Sequence, residues 1–235
     1  MHDGNKPLHI EYTTLERHET PLGELALRRY EADGETGYEI ILNGVFLMAT
    51  HGFHSEACMA QMALDRYRGE QQDLRVMVGG LGCGFTLGAA LDLPGVTEVV
   101  VVEALEQVIQ WNRKLFGSYN GNVVDNPRAK IVLQDLYDHV KEPGDGYDLI
   151  LSDIDNGPGW LASDDNARVY DQGGVELFKK RLRPGGVLAV WSPMENPEFR
   201  ETMSAVFDHA VELSTETEAK RVGEPPDIVY LGWDD

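Results

Sequence analysis

The chain has 235 residues, of which 42% are hydrophobic and 26% charged, a balance that excludes a disordered chain and fits one soluble globular protein. Its formal charge of −20 disfavours a nucleic-acid backbone as partner, since phosphate binding rests on Lys and Arg; it would attract small cations such as amines, with surface solubility as the alternative reading. No apolar run is long enough for a bilayer, because "EVVVVEALEQVI" is interrupted by acids.

The N-terminal "MHDGNKPLHIEY" lacks the basic-then-apolar layout of a secretory leader, so a cytoplasmic enzyme is expected. Cys58 and Cys83 lack metal-ligand spacing and make a disulfide framework unexpected; no metal site is predicted.

Residues 1–50 read as a small N-terminal β-domain. "GELALRRYEADGETGYEIILNGVFLMAT" alternates apolar and polar positions around the turn signals "EADGETG" and "NG". Residues 51–235 change rhythm, after a helical "HSEACMAQMALDRY". "LRVMVGG" predicts a buried strand and "GFTLGAALDL" a helix; "TEVVVVEA" predicts a strand and "LEQVIQWNRKLF" an amphipathic helix. "RAKIVLQD" and "YDLILSDID" predict two more strands. "VYDQGGVELFKKRLRPGG" predicts a helix closed by Pro184 and two glycines, before the strand "VLAVWS". "NPEFRETMSAVF" predicts a last helix, and "HAVELST" with "PDIVYLGW" a closing antiparallel pair. Alternating strands and helices predict an α/β fold: a seven-stranded, mostly parallel Rossmann-like sheet covered on both faces.

In such a sheet ligands sit beyond the carboxyl ends of the strands, where strand order reverses. Gly79, Gly80, Gly82 and Gly84 follow the first parallel strand there and let a ligand lie against bare backbone. The next strand ends in Glu103, placed to accept both hydroxyls of a ribose. Glycines serving only close helix–strand packing are the alternative. The third strand leads to Asp135, either an acceptor for an adenine amino group or the N-cap of "LYDHV", two compatible roles. The spacing "GGLGCG" is not that of a dinucleotide fingerprint, and no phosphate-gripping Lys follows it. What remains is an S-adenosylmethionine-binding architecture.

The order "GGLGCGFTLGAAL", "VVVVEALEQVI", "NPRAKIVLQD", "YDLILSDIDNGP", "LFKKRLRPGGVLAVW" resembles the spermidine synthase (polyamine aminopropyltransferase) family over most of the chain. The resemblance implies S-adenosylmethionine or its decarboxylated form as cofactor and a small cationic amine as substrate. It implies that Glu103 holds the ribose, that Asp135 with Leu136 meets the adenine, and that Asp153 is the catalytic carboxylate. Asp155 stands in for a second acid, two positions away where the family's acids are usually three apart. Residues two apart share a face only if the strand persists that far.

A sulfonium makes its attached carbons electrophilic, so a neutral amine can displace the thioether in one step. The protein must align the reacting atoms, and a carboxylate must take the ammonium proton. Asp153 is expected in that role, with capping of the following turn as its alternative. Asn156, Trp160 and Tyr170 are further candidates on the acceptor side, Trp160 within a loop long enough for a lid. So are His54 and Glu56, where the family's Tyr-His before the glutamate reads His54–Ser55 with Glu56 kept. An idle helix-start histidine is the alternative for His54.

Two departures bear on specificity. The family's loop aspartate, which binds the aminopropyl ammonium of the decarboxylated cofactor, is matched here by Gly82. Its substrate-side glutamine is matched by Leu47 or Met48. Losing the aspartate removes a charge that would repel the carboxylate of ordinary S-adenosylmethionine. Aminopropyl transfer to an amine is the leading expectation, methyl transfer the alternative, and a non-catalytic adenosine-ligand sensor the reading from another class. A homodimer is expected from the resemblance alone.

Overall fold

The alternating pattern of the first fifty positions folds into an antiparallel meander of β1 (Ile10–Thr20), β2 (Gly23–Ala32), β3 (Glu35–Leu42) and β4 (Val45–Ala49). Leu25, Leu27, Ile40 and Leu42 are buried, each two apart along its strand, as a half-buried sheet requires. Asn43 and Gly44 join β3 to β4 with φ of 53° and 79°, the left-handed pair that suits the twist of a tight hairpin. The coordinates are a computed structural model describing residues 10–32, 34–51, 54–215 and 226–235, without the side chains of 54–57.

Helix α1 (His54–Arg66) buries Met59, Ala60, Ala63 and Leu64 and leads into the main sheet. The chain then runs β5 (Leu74–Gly79), α2 (Phe85–Asp92), β6 (Val96–Glu103), α3 (Glu106–Trp111) and α4 (Gly117–Asn120). It continues with β7 (Ala129–Leu133), α5 (Leu136–Lys141), β8 (Tyr147–Ser152), α6 (Ala167–Tyr170), α7 (Gln172–Arg181) and β9 (Leu182–Ser192). It ends with α8 (Pro197–Val206), β10 (His209–Ser214) and β11 (Ile228–Trp233).

The sheet is seven-stranded in the order β10-β11-β9-β8-β5-β6-β7. The five strands β5 to β9 are parallel, and β10 and β11 close one edge antiparallel, as the alternating pattern predicts. Val76, Val78, Leu149, Leu151 and Ala189 pack toward α1, α2 and the N-terminal sheet. Met77, Ile150, Leu188 and Val190 pack on the other face with Leu136, Val175, Phe178 and Phe199 of α5, α7 and α8. Burial on both faces is why these strands read as unbroken apolar runs. The order reverses at β5, whose neighbours are β6 and β8, and this switch point opens a crevice at their carboxyl ends.

Two local predictions are corrected. The helix expected from Val169 to Gly186 is two helices and the start of a strand. Asp171 is extended (φ −73°, ψ 169°) and accepts from Gly174 N at 2.7 Å, so it caps α7 and breaks the run. Helix α7 stops at Arg181, and "LRPGG" is extended, because Arg183 before Pro184 is pushed out of the helical region. The helix expected from Leu105 to Phe116 widens at Asn112–Phe116 into a π-helical turn.

Candidate active site

Glu103 ends β6 with its carboxylate buried. Oε2 accepts from Leu81 N at 2.9 Å and Oε1 from Leu105 N at 2.8 Å, so one side chain ties the glycine loop to its own strand end. Burial pushes its carboxyl above the ordinary value, and the amides of Leu81 and Leu105 oppose that rise.

Asp153 lies just past β8, the strand on the other side of β5. Its backbone N–H donates to Gly79 O at 2.8 Å, and its Oδ2 accepts from Thr86 Oγ1 of α2 at 2.5 Å. Burial raises its carboxyl to about 6, the Thr86 hydroxyl opposes this, and the charge of Asp227 adds to it. Some of the residue still meets solvent at the rim.

The glycine loop is pressed between these two strand ends. A Cβ on Gly80, at φ +88°, would lie 2.4 Å from the carbonyl oxygen of Asp153. Only glycine allows this approach. Leu136 reaches within 2.6 Å of where a Cβ on Gly79 would stand, so that glycine admits α5 to the sheet end. Gly84 caps α2 in a left-handed conformation.

The loop also has supports that sequence reading missed. Asn112 Nδ2 donates to Gly82 O at 2.8 Å, and Asn120 Nδ2 donates to Cys83 O at 2.8 Å. Neither residue falls in a recognisable motif. The only trace is a fully buried amide inside "QWNRKLF", within the helical turn that widens there.

From the N-terminal sheet, Met48 reaches the same loop. Its Sδ accepts from Cys83 N at 3.0 Å and lies 2.6 Å from the position of a Cβ on Gly82. The space into which a side chain at Gly82 would project is therefore occupied by a thioether.

Other predicted positions are distributed as follows. Asp135 caps α5, accepting from Asp138 N at 3.0 Å, and pairs with Arg168 at 2.9 Å. Strand β8 stops at Ser152, so the alternation that would align Asp153 with Asp155 does not apply. Asp155, at φ 53°, instead accepts from Asn166 Nδ2 at 2.7 Å. Burial raises its carboxyl, opposed by Asn166. Asn156 is buried and donates to Phe46 O at 2.9 Å, while Asn43 donates to Ala162 O at 2.9 Å. The loop from 156 to 168, expected as a lid, is thus stitched to the β3–β4 hairpin at two points, and its last two residues already belong to α6.

Tyr170 is buried, donates its hydroxyl to Ile154 O at 2.8 Å and packs edge-on against Phe199. Trp160 is 51% exposed in the tethered loop. The side chains of His54 and Glu56 lie outside the described residues. A separate hollow of about 400 Å³ opens between Leu22, Asn43 and Ala162–Asp165, and neither Glu103 nor Asp153 lines it. Among the described residues, no cluster of His, Cys, Asp and Glu could hold a metal ion, and no helix is long and apolar enough to cross a membrane.

The spermine/spermidine synthase domain model matches residues 56–219. The chain belongs to that family. A polyamine aminopropyltransferase of Hyperthermus butylicus is 27% identical over 147 residues, covering 59% of this chain and 49% of that protein. A putrescine N-methyltransferase of Nicotiana tabacum is 35% identical over 115 residues, covering 48% of this chain and 29% of that protein. The chain thus spans at most about half the length of these relatives. Spermidine synthase from Thermotoga maritima superposes with a TM-score of 0.73 at 17% identity, over 93% of this chain and 72% of that one. A spermidine synthase solved with the transition-state analogue AdoDATO gives 0.74, also at 17% identity, over 93% and 73%. These likenesses agree on the fold, meander and sheet together.

Proposed function

We propose that this member of the family is an enzyme that alkylates a small amine from an adenosyl-sulfonium donor, most directly by aminopropyl transfer. One observation carries the reading: Glu103 ends β6, Asp153 directly follows β8, and the two hold the β5 end and its glycine loop from both sides.

The residues fit S-adenosylmethionine or its decarboxylated form. Gly80 and Gly82 hold the loop at positive φ close against its neighbours, and Glu103 offers a buried acceptor for ribose hydroxyls. Asp135 and Leu136, at the head of α5, border the same rim from the adenine side. When bound, the sulfonium supplies an electrophilic carbon and a thioether leaving group.

Asp153 takes the proton from the acceptor's ammonium and so presents a neutral nitrogen. A carboxyl near 6 is a better proton acceptor than one at 3.8 and is still ionised at neutral pH. Thr86 fixes which way the carboxylate points. Asp155 shapes the loop that carries Asn156 and Trp160, and so acts on the acceptor through its walls. The net charge of −20 draws cationic amines and suits a cytoplasmic enzyme with no nucleic-acid partner.

Methyl transfer is the second reading, and the Met48–Gly82 contact favours it. Apolar sulfur stands where the family places an ammonium-binding aspartate, which leaves ordinary S-adenosylmethionine unrepelled. Incubation of the purified protein with each cofactor form and a panel of amines separates the readings. Methylthioadenosine released with a diamine supports aminopropyl transfer, and adenosylhomocysteine means methyl transfer. Binding without turnover means a sensor.

A further inference from the structure

The short helix α6 sends two side chains to two different segments of the rim. Tyr170 donates to Ile154 O at 2.8 Å, one residue past Asp153, and Arg168 pairs with Asp135 at 2.9 Å. The helix is firmly seated. A Cβ on Gly174 would lie 2.2 Å from Arg168 O, so α7 packs directly on its backbone. At its far end the Arg168 guanidinium lies over the ring of Tyr137 of α5, 4.8 Å from the centroid.

Asp135 is held close to the proposed ribose acceptor. Gln134 N donates to Glu103 O at 2.9 Å, which sets Asp135 one residue from a backbone contact with the end of β6. Both printed partners of its carboxylate meet the same oxygen. Oδ1 accepts from Asp138 N at 3.0 Å and faces Arg168, while Oδ2 accepts no hydrogen bond among the described residues. An acid held by one oxygen presents the other to whatever occupies the rim.

Stability does not account for the arrangement. The two side chains are 41% and 25% exposed, and ion pairs that open to water contribute little to folding. Arg168 Nε is moreover buried without a partner among the described residues, a cost that a side chain turned to solvent avoids.

We propose that Arg168 is a positioning residue for purine recognition, fixing the Asp135 carboxylate so that Oδ2 meets the C6 substituent of the base and admits an amino group rather than a carbonyl. The amino group of adenine donates to a carboxylate oxygen, whereas the carbonyl of hypoxanthine leaves that oxygen unpaired and repels it. A carboxylate free to turn accepts from N1–H of hypoxanthine instead, and the distinction fades. Arg168 removes that freedom.

This role rests on the reading of the rim as a nucleoside site, and the two fail differently. Calorimetric titration of the full chain with methylthioadenosine and with methylthioinosine measures the preference for the amino base. The wild type is expected to prefer methylthioadenosine by about tenfold or more, the worth of one hydrogen bond to a charged group. Arg168→Met should reduce that ratio to about threefold or less, mainly by tightening methylthioinosine, with little change in melting temperature. Arg168→Lys, which keeps the charge without the planar group, should retain part of the preference. Asp135→Asn still caps α5 but can donate to a carbonyl, so it should erase or reverse the preference. A ratio that is unchanged or larger in Arg168→Met overturns the positioning role, and loss of the ratio in Asp135→Asn alone then leaves the adenine contact standing. Equal wild-type affinities overturn the role while the nucleoside site survives. Binding of neither nucleoside refutes the site and the role together.

Discussion

Thr86 donates its hydroxyl hydrogen to Oδ2 of Asp153 at 2.5 Å, joining the first turn of α2 to the end of β8. The bond spans the glycine loop that both elements border. It makes the position and the proton affinity of Asp153 properties of two separate segments of the chain.

The pH dependence follows from the carboxyl of Asp153 lying at about 6. As proton acceptor it must be ionised, so kcat/KM is expected to fall as pH drops through about 6. A pH–rate profile whose acid limb lies near 4 would assign the role to another group.

The same displacement predicts a stability trade-off. A carboxyl that binds its proton more tightly folded than unfolded favours folding fully below 3.8, and that advantage is lost as pH rises through about 6. Asp153→Asn is therefore expected to raise stability at pH 8 by up to about 3 kcal/mol while abolishing turnover. Thermal melts check this, since the gain should shrink toward pH 4.

Replacing Thr86 tests the bond directly. Thr86→Val removes a donor to the ionised form, so the acid limb should move upward by about one pH unit, as hydrogen bonds to charged groups are worth roughly 1.5–3 kcal/mol. Thr86→Ser should restore it. A profile unmoved by valine would mean that Thr86 only packs.

Glu103→Ala removes a proposed ribose acceptor and leaves the amides of Leu81 and Leu105 without their carboxylate. Methylthioadenosine affinity should fall more than tenfold, and stability by about 2–4 kcal/mol for two buried donors. Calorimetry and chemical denaturation measure the two separately. Unchanged nucleoside affinity in a folded variant would remove the ribose role.

The Met48–Gly82 contact makes donor choice testable. Gly82→Asp alone meets the Met48 sulfur and a φ of +49°, so it should fold less stably. Combined with Met48→Ala, the aspartate has room. That double variant should shift relative affinity toward the decarboxylated cofactor by at least tenfold. Equal affinities for both forms would show that the position does not read the donor's tail.

Much of the fold was legible because it rests on local periodicity. Alternation identified the N-terminal meander, and apolar runs bounded by glycines identified the parallel strands. The placement of Glu103 and Asp153 at the carboxyl rim was legible because each follows an apolar run that reads as a parallel strand, while the role expected of Asp153 came from the family resemblance. Helix breaks were less so: Asp171 as an internal cap and the extended "LRPGG" compete with a pattern that continues across them. Asn112 and Asn120 escaped notice because their importance lies in reaching carbonyls 30 and 37 positions away.

By itself, then, the sequence determined the order of strands and helices, the bare backbone of the loop and the acids that close two strands. Each of these depends on residues near one another along the chain. Only the tertiary structure decided that Asp155 turns to Asn166 and that Met48 occupies the space above Gly82. Those outcomes depend on where a strand stops and on the registers across the sheet, set by packing between segments far apart along the chain.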